Sequence, residues 1–334
     1  MSKHANISLF VPHAGCPHQC TFCNQRAISG ETKRLTREDV TDAVLTAIRS
    51  GSPPETTEIA FFGGSFTAID RSYMTELLSA AYPYVESGQV RGIRCSTRPD
   101  YIDGEILALL KRFGVTSIEL GAQSMDDRVL RLNKRGHTAS DVERASFLIR
   151  ESGFELGLQM MTGLYGDSDE TCIGSAERII SLCPATIRIY PTVVIEGTEL
   201  AELYRCGEYR PQTVDEAVKL CAKLVPMFES AGIRVIRLGL HSGGGVSDGY
   251  IAGAYHPAFG ELVESEIILN DVSRYIRNND ISGDAVIFVN PSRVSVMTGQ
   301  KRRNIEKLAE YGVNARIKPD DNLSGREFVI EECI

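Results

Sequence analysis

Ile7-Ser-Leu-Phe-Val-Pro12 runs directly into His13-Ala-Gly-Cys16-Pro-His-Gln-Cys20-Thr-Phe-Cys23. The first segment reads as a short, mostly apolar strand. The second places three cysteines at C-x3-C-x2-C spacing on one loop. Three thiolates this close can hold three corners of a cubane 4Fe-4S cluster and leave one iron without a protein ligand, open to a substrate or cofactor. The same residues also suit zinc, with His13 or His18 completing a Cys3His set. The other six cysteines (Cys95, Cys172, Cys183, Cys206, Cys221 and Cys333) are scattered, and the chain has no export signal. Thiol or metal chemistry is therefore expected in place of a disulfide framework.

The order of strand then polar loop recurs along the chain. Further strands are expected near Glu58 to Phe62, Ile93 to Thr97, Ser117 to Leu120, Leu156 to Met161 and Ile187 to Val194. Helical patterns lie between them at Arg37 to Arg49, Tyr73 to Tyr84, Glu105 to Phe113, Ala139 to Glu151 and Glu170 to Leu182, and another follows at Asp215 to Ala231. Thr36 stands three residues before Asp39 as a start signal, and Gly114, Gly153 and Gly232 follow helical runs as stop signals. Strict alternation implies parallel strands with right-handed crossovers, in an open sheet or a (β/α) barrel. In a barrel, reactive groups gather at the carboxyl ends of the strands. The unusual residues fall there: His13 to Cys16, Gly63-Gly64-Ser65, Thr97-Arg98-Pro99 and Gln123-Ser124.

Past Gly239 the pattern changes. Ser242 to Gly249 is a glycine-rich connector or active-site loop. A small α+β module is expected over residues 265–334, after a core and its extension over 1–264. Its elements are a helix near Val272 to Asn278, a strand at Ala285 to Asn290, a helix around Asn304 to Tyr311, and strands near Val313 to Lys318 and Glu327 to Glu331. The net charge of -8, with 44 acidic against 36 basic side chains, excludes a globally basic nucleic-acid binder. Pro291 to Lys318 nevertheless carries seven Lys/Arg against two Glu. A hydrophobic share of 43% and a charged share of 24% fit a globular protein and not a disordered one. No stretch approaches the roughly 18 apolar residues of a membrane span, and Met1 to Asn6 is too short and polar for a signal peptide. The expectation is a cytoplasmic protein without a membrane partner.

The cysteine spacing, with Phe22 in the aromatic position of C-x3-C-x-aromatic-C, resembles the radical S-adenosylmethionine (SAM) enzymes. That resemblance implies a partial (β/α)6 barrel and a 4Fe-4S cluster on Cys16, Cys20 and Cys23, with SAM chelating the open iron. It also implies reductive cleavage of SAM to a 5'-deoxyadenosyl radical, fed by an external one-electron reductant of flavodoxin or ferredoxin type. By the same resemblance Phe22 sits beside the adenine. Gly63 and Gly64 offer carbonyls to the methionine ammonium, with Ser65 in place of the family's Glu or Thr. Gln123 contacts ribose or carboxylate, Arg135 clamps the carboxylate with its planar fork, and Gln159 is a further ribose candidate.

Thr97 to Tyr101, Glu119 to Ser124, Asn133, Arg135 to Thr138, Tyr190 to Thr198, Gly207 to Tyr209 and Arg234 to Arg237 match the radical SAM domain of the Elongator catalytic subunit. This resemblance implies RNA modification, of tRNA in particular. Elongator's acetyl-derived chemistry is not implied, since 334 residues leave no room for its acetyltransferase-like domain. Val296 to Leu308 resembles a KH-like helix, basic turn and helix, which makes Lys301, Arg302 and Arg303 candidate RNA contacts through phosphate. Two other readings remain: radical chemistry on a small metabolite or tetrapyrrole without RNA, and an iron-sulfur or zinc protein that binds without catalysis.

Overall fold

Several of the expected strands carry a polar residue between two apolar ones: Ile93-Arg94-Cys95, Ile118-Glu119-Leu120, Leu158-Gln159-Met160 and Ile187-Arg188-Ile189. Alternation of this kind gives a sheet one apolar and one polar face. The computed structural model shows what each face does; it describes residues 5–11, 19–24, 33–240 and 249–332. His13, Cys16, His18 and residues 242–248 of the glycine-rich connector lie outside the described residues.

Strand and helix alternate as β1 (Ala5–Val11), α1 (Arg37–Arg49), β2 (Thr57–Gly63), α2 (Arg71–Glu86), β3 (Gly92–Thr97), α3 (Gly104–Arg112) and β4 (Val115–Gln123). The series continues with α4 (Asp127–Leu132), α5 (Ala139–Glu151), β5 (Glu155–Thr162), α6 (Asp169–Ser181), β6 (Thr186–Pro191), β7 (Val193–Ile195), α7 (Glu199–Arg205), α8 (Val214–Ser230), β8 (Arg234–Leu238) and β9 (Tyr250–Gly253). Thr36 caps α1 in a reciprocal capping box with Asp39. The sheet runs β1-β2-β3-β4-β5-β6-β8 with every pair parallel. The partial barrel is thus present, with β8 as a seventh strand. The expected strand Ile187 to Val194 breaks at Thr192, whose N–H and Oγ1 both donate to Thr162 O (2.9 and 2.7 Å). Beyond that break, β7 leaves the sheet and pairs antiparallel with β9.

The apolar face (Ile59, Phe61, Ile93, Cys95, Ile118, Leu120, Leu158, Met160, Ile187, Ile189) is buried. The polar face bonds to itself across the curl of the sheet. Arg94 on β3 donates Nε to Glu58 on β2 (2.9 Å) and Nη2 to Glu155 on β5 (3.1 Å). Arg188 on β6 reaches Glu119 on β4 (2.7 Å), and its guanidinium lies 5.2 Å from the ring centre of Phe62 on β2. Strands β2 and β6 are four steps apart, roughly 19 Å in a flat sheet. The sheet is therefore strongly curled, with this face inside.

The chain divides into two units, Met1–Thr213 with Met227–Tyr255, and Val214–Pro226 with His256–Ile334. The second contains α9 (Phe259–Asn278), β10 (Gly283–Val289), α10 (Val294–Thr298), α11 (Arg303–Glu310), β11 (Val313–Pro319) and β12 (Phe328–Glu332). Its sheet is β11-β10-β12, with β10 parallel to β11 and antiparallel to β12, over a core that includes Ile268, Val272, Ile276, Ile287, Met297 and Leu308. The boundary expected between residues 264 and 265 falls inside α9, because Phe259, Val263 and Ile267 extend its buried face upstream of Val272. Among the described residues, no helix is long and apolar enough to cross a membrane.

Two buried polar groups make stability depend on named contacts. Arg94→Met would take the opposite charge away from Glu58, which is fully buried, and should cost about 3–5 kcal/mol in urea unfolding. Replacing Glu58 with Met as well should recover part of that loss. His137 is buried with Nε2 at 3.2 Å from Ala122 O, and burial, reinforced by the Arg135 charge, pushes its imidazole down to about 4. The unfolded chain protonates near the ordinary value of about 6.5. The contribution of His137 is therefore full above about pH 6.5 and is lost as pH falls toward 4, on the order of 3 kcal/mol in all. Unfolding measured between pH 7.5 and 4 should show this slope, and His137→Gln should flatten it.

Candidate active site

The cysteine loop follows β1, and its described half, residues 19–24, is tied down by contacts from distant segments. Cys23 N–H donates to Cys20 O (3.1 Å), closing a tight turn that keeps the two side chains on one loop tip. Between them, Thr21 N–H donates to Asn133 O (3.3 Å) and Thr21 Oγ1 to Asn133 Oδ1 (3.0 Å). Asn133 is fully buried at the end of α4, where its amide donates to Val129 O (2.8 Å) and Tyr165 O (2.9 Å). Leu200 N–H, in the first turn of α7, donates to Thr21 O (2.8 Å). Phe22 packs against a cluster of Val194, Leu200, Ala201 and Tyr209. Asn133 therefore positions the loop, a role that its place among the matching residues did not by itself disclose.

Arg135 follows α4 and is 7% exposed. Its Nη1 donates to Cys20 Sγ (3.1 Å) and its Nη2 to Gly121 O (2.7 Å), while Nε is buried without a partner. Its backbone carbonyl accepts from Arg98 Nη2, and Arg98 is held in turn by both oxygens of Asp100 (2.9 and 3.0 Å). Gly121 makes this approach possible: a Cβ there would stand 3.0 Å from Gln123 Nε2 and 3.4 Å from Arg135 Nη2.

The strand ends bring in the remaining candidates. Gln159 Nε2 donates to Gln123 Oε1 (3.1 Å), so the two amides form one pair, leaving Gln123 Nε2 and Gln159 Oε1 for other partners. Gln123 has φ +67°, a left-handed conformation at the last residue of β4. Gly63 ends β2 at φ +108°, where a Cβ would fall 2.3 Å from Val11 O, so only glycine fits beside β1. Ser65 is buried; its hydroxyl lies 2.8 Å from Thr97 Oγ1 and accepts from Arg98 N–H (3.2 Å). Thr97 Oγ1 also meets Thr67 Oγ1 (2.6 Å), which makes this a hydroxyl knot joining the ends of β2 and β3.

Deeper in the curl, Glu119 accepts from Ser96 Oγ (3.3 Å) as well as from Arg188, and Arg188 Nη1 approaches Tyr190 Oη (3.4 Å). Burial, the largest single influence, opposes the Arg188 charge, but Glu119 and Tyr190 together outweigh it and hold the guanidinium above its ordinary value. Burial likewise raises the Tyr190 hydroxyl, which stays protonated at neutral pH. These interior groups were missed from sequence, although a charged residue amid large apolar neighbours on a strand is a signal that could have found them.

In the second unit, Lys301 and Arg302 form the turn between α10 and α11, both exposed and both left-handed (φ +52° and +65°). Arg303 is paired with Asp215, Nη1 to Oδ1 at 2.7 Å and Nη2 to Oδ2 at 3.2 Å.

The residues present fit an iron-sulfur cluster and SAM. A buried thiol on a pinned loop faces a buried guanidinium whose Nε has no partner, beside an amide pair with free polar ends. The family model of the radical SAM superfamily matches residues 10–179, about half of the chain, and that of a radical SAM C-terminal domain matches residues 184–268. The chain is 30% identical over 260 residues to a tRNA uridine(34) acetyltransferase of Methanocaldococcus infernus, covering 66% of this chain and 49% of that protein. To Elongator complex protein 3 of Schizosaccharomyces pombe it is 30% identical over 198 residues, 53% of this chain and 36% of that one. The chain thus spans half or less of the length of these relatives. Among solved structures, the archaeal Methanocaldococcus infernus Elp3 with an N-terminal deletion superposes with a TM-score of 0.59 at 25% identity, over 73% of this chain and 59% of that one. With its cysteine loop and polar groups at the ends of parallel strands, the chain belongs to the radical SAM superfamily and is an enzyme whose cofactors are a 4Fe-4S cluster and S-adenosylmethionine.

Proposed function

We propose that this chain modifies a nucleoside of tRNA by radical chemistry. The observation that carries the reading is the convergence of Arg135, the Gln123–Gln159 pair and Cys20 in a chain whose relatives are named for tRNA uridine(34) acetylation and for the Elongator complex. A reduced cluster, when bound, supplies the electron that splits SAM into methionine and a 5'-deoxyadenosyl radical able to abstract hydrogen.

The protein's own groups do the rest. Cys20 and Cys23, with Cys16, would hold three irons, and Asn133 keeps the loop in register for them. Arg135 Nε would donate to the methionine carboxylate, and backbone at Gly63 and Gly64 would accept from the ammonium. Gln123 Nε2 and Gln159 Oε1 would take the ribose hydroxyls, and Phe22 would border the adenine. The Ser65 hydroxyl, held by Thr97 and Arg98, would brace the β2 end beside the Gly63 and Gly64 backbone. Glu119, Arg188 and Tyr190 line the interior, where a substrate is shielded from water. Lys301 and Arg302 are exposed cations suited to RNA phosphates, while Arg303 supports their turn through Asp215. The electron would come from an external flavodoxin-type or ferredoxin-type donor.

Cys20→Ala or Cys23→Ala should lower bound iron and sulfide and abolish 5'-deoxyadenosine release on adding SAM and dithionite under anaerobic conditions. Mass spectrometry of tRNA nucleosides from cells with and without the protein should show one modified nucleoside lost, and an unchanged nucleoside profile would overturn the tRNA assignment. Lys301→Glu with Arg302→Glu should weaken tRNA binding by about tenfold or more and reduce its salt slope by about 2, read by fluorescence anisotropy across a salt series.

A further inference from the structure

We infer that Arg135 sets the reduction potential of the cluster by donating a hydrogen bond to the Cys20 sulfur, and that the Arg98–Asp100 pair is the positioning device that holds it there. The inference rests on the reading of Cys16, Cys20 and Cys23 as cluster ligands, and it adds a role that contact with the cofactor carboxylate does not require.

The residue is held at its guanidinium and at its backbone. Nη2 is anchored on Gly121 O (2.7 Å), and the backbone carbonyl of Arg135 is held by Arg98, itself clamped by both oxygens of Asp100. With those points set, Nη1 lies 3.1 Å from Cys20 Sγ, and Nε is left for a separate partner. The fork thus has one arm for sulfur and one edge for an anion, a division that a lysine ammonium cannot reproduce. Arg98 and Arg135 are both buried, so salt screens the interaction little.

The sign follows from charge. One-electron reduction makes a cluster and its thiolates more negative, and a cation donating to a ligating sulfur stabilises that state more than the oxidised one. The Arg135 contact therefore raises the potential and eases reduction by a weak donor. Without it the same cluster would be harder to reduce.

The test is an anaerobic redox titration of the reconstituted full chain without SAM, followed by electron paramagnetic resonance of the reduced cluster, with iron and sulfide quantified in each sample. Arg135→Gln should move the midpoint negative by a tenfold change in the reduced-to-oxidised ratio, about 59 mV for one electron. Arg135→Lys and Asp100→Asn should shift it in the same direction by less. Lys134→Gln, which removes an exposed neighbouring charge paired with Glu199, should leave it unchanged. Should Arg135→Gln fail to fold or to take up iron, the Arg135→Lys and Asp100→Asn midpoints decide. Parent-like midpoints in the Arg135 and Asp100 variants at full iron content overturn the inference, as does an equal shift from Lys134→Gln. A parent that takes up no iron and sulfide overturns the cluster reading itself, a separately recognisable result.

Discussion

Two guanidinium groups, that of Arg94 buried and that of Arg188 largely so, reach across strands that are not neighbours, and the working shape of the first unit depends on them. Arg94 joins β2 to β5 through Glu58 and Glu155; Arg188 joins β6 to β4 through Glu119 and overlies Phe62 on β2. Charges buried on one face of a parallel sheet must find opposite charges, since an unpaired ion there costs several kcal/mol. A flat sheet would separate these partners; a curled one brings them together. The same pairing makes the interior a polar, enclosed space under an apolar outer face.

Curling also gathers the carboxyl ends of the strands onto one rim. There the Thr67–Thr97–Ser65 hydroxyl contacts join β2 to β3, and the Gln123–Gln159 pair joins β4 to β5. Arg135 lies over the β4 end and touches the cysteine loop that follows β1. The site is thus assembled from residues more than a hundred positions apart, each held by a hydrogen bond to a group that is itself held. Such nested support is what keeps a cofactor cradle within a fraction of an ångström of its working geometry.

The tail shows how side-chain pairing sorts a run of like charge. Lys301, Arg302 and Arg303 are equivalent as a string of basic residues, yet only Arg303 meets Asp215. The other two sit in consecutive left-handed conformations, which hold their side chains outward in a turn. Asn304 beneath them is buried, its amide donating to Ser265 and to Val296 O, and it anchors the start of α11. A charge count cannot separate these residues, because pairing depends on what the fold places opposite each one.

Sequence alone determined the alternation of elements, the parallel sheet, the cysteine spacing and the rim positions of Gly63, Ser65, Thr97 and Gln123. All of these are local: periodicity, caps and turn residues act over a few positions, so α1 and α5 appear at the bounds their patterns give. What the tertiary structure decided was every long-range partnership. The break at Thr192, the seventh strand β8, the start of α9 at Phe259, the Asn133 clamp on Thr21 and the Arg98–Arg135–Cys20 chain all depend on partners far away in sequence. A polar residue in a strand announces that it needs a partner; only the folded chain, by curling, determines which one it meets.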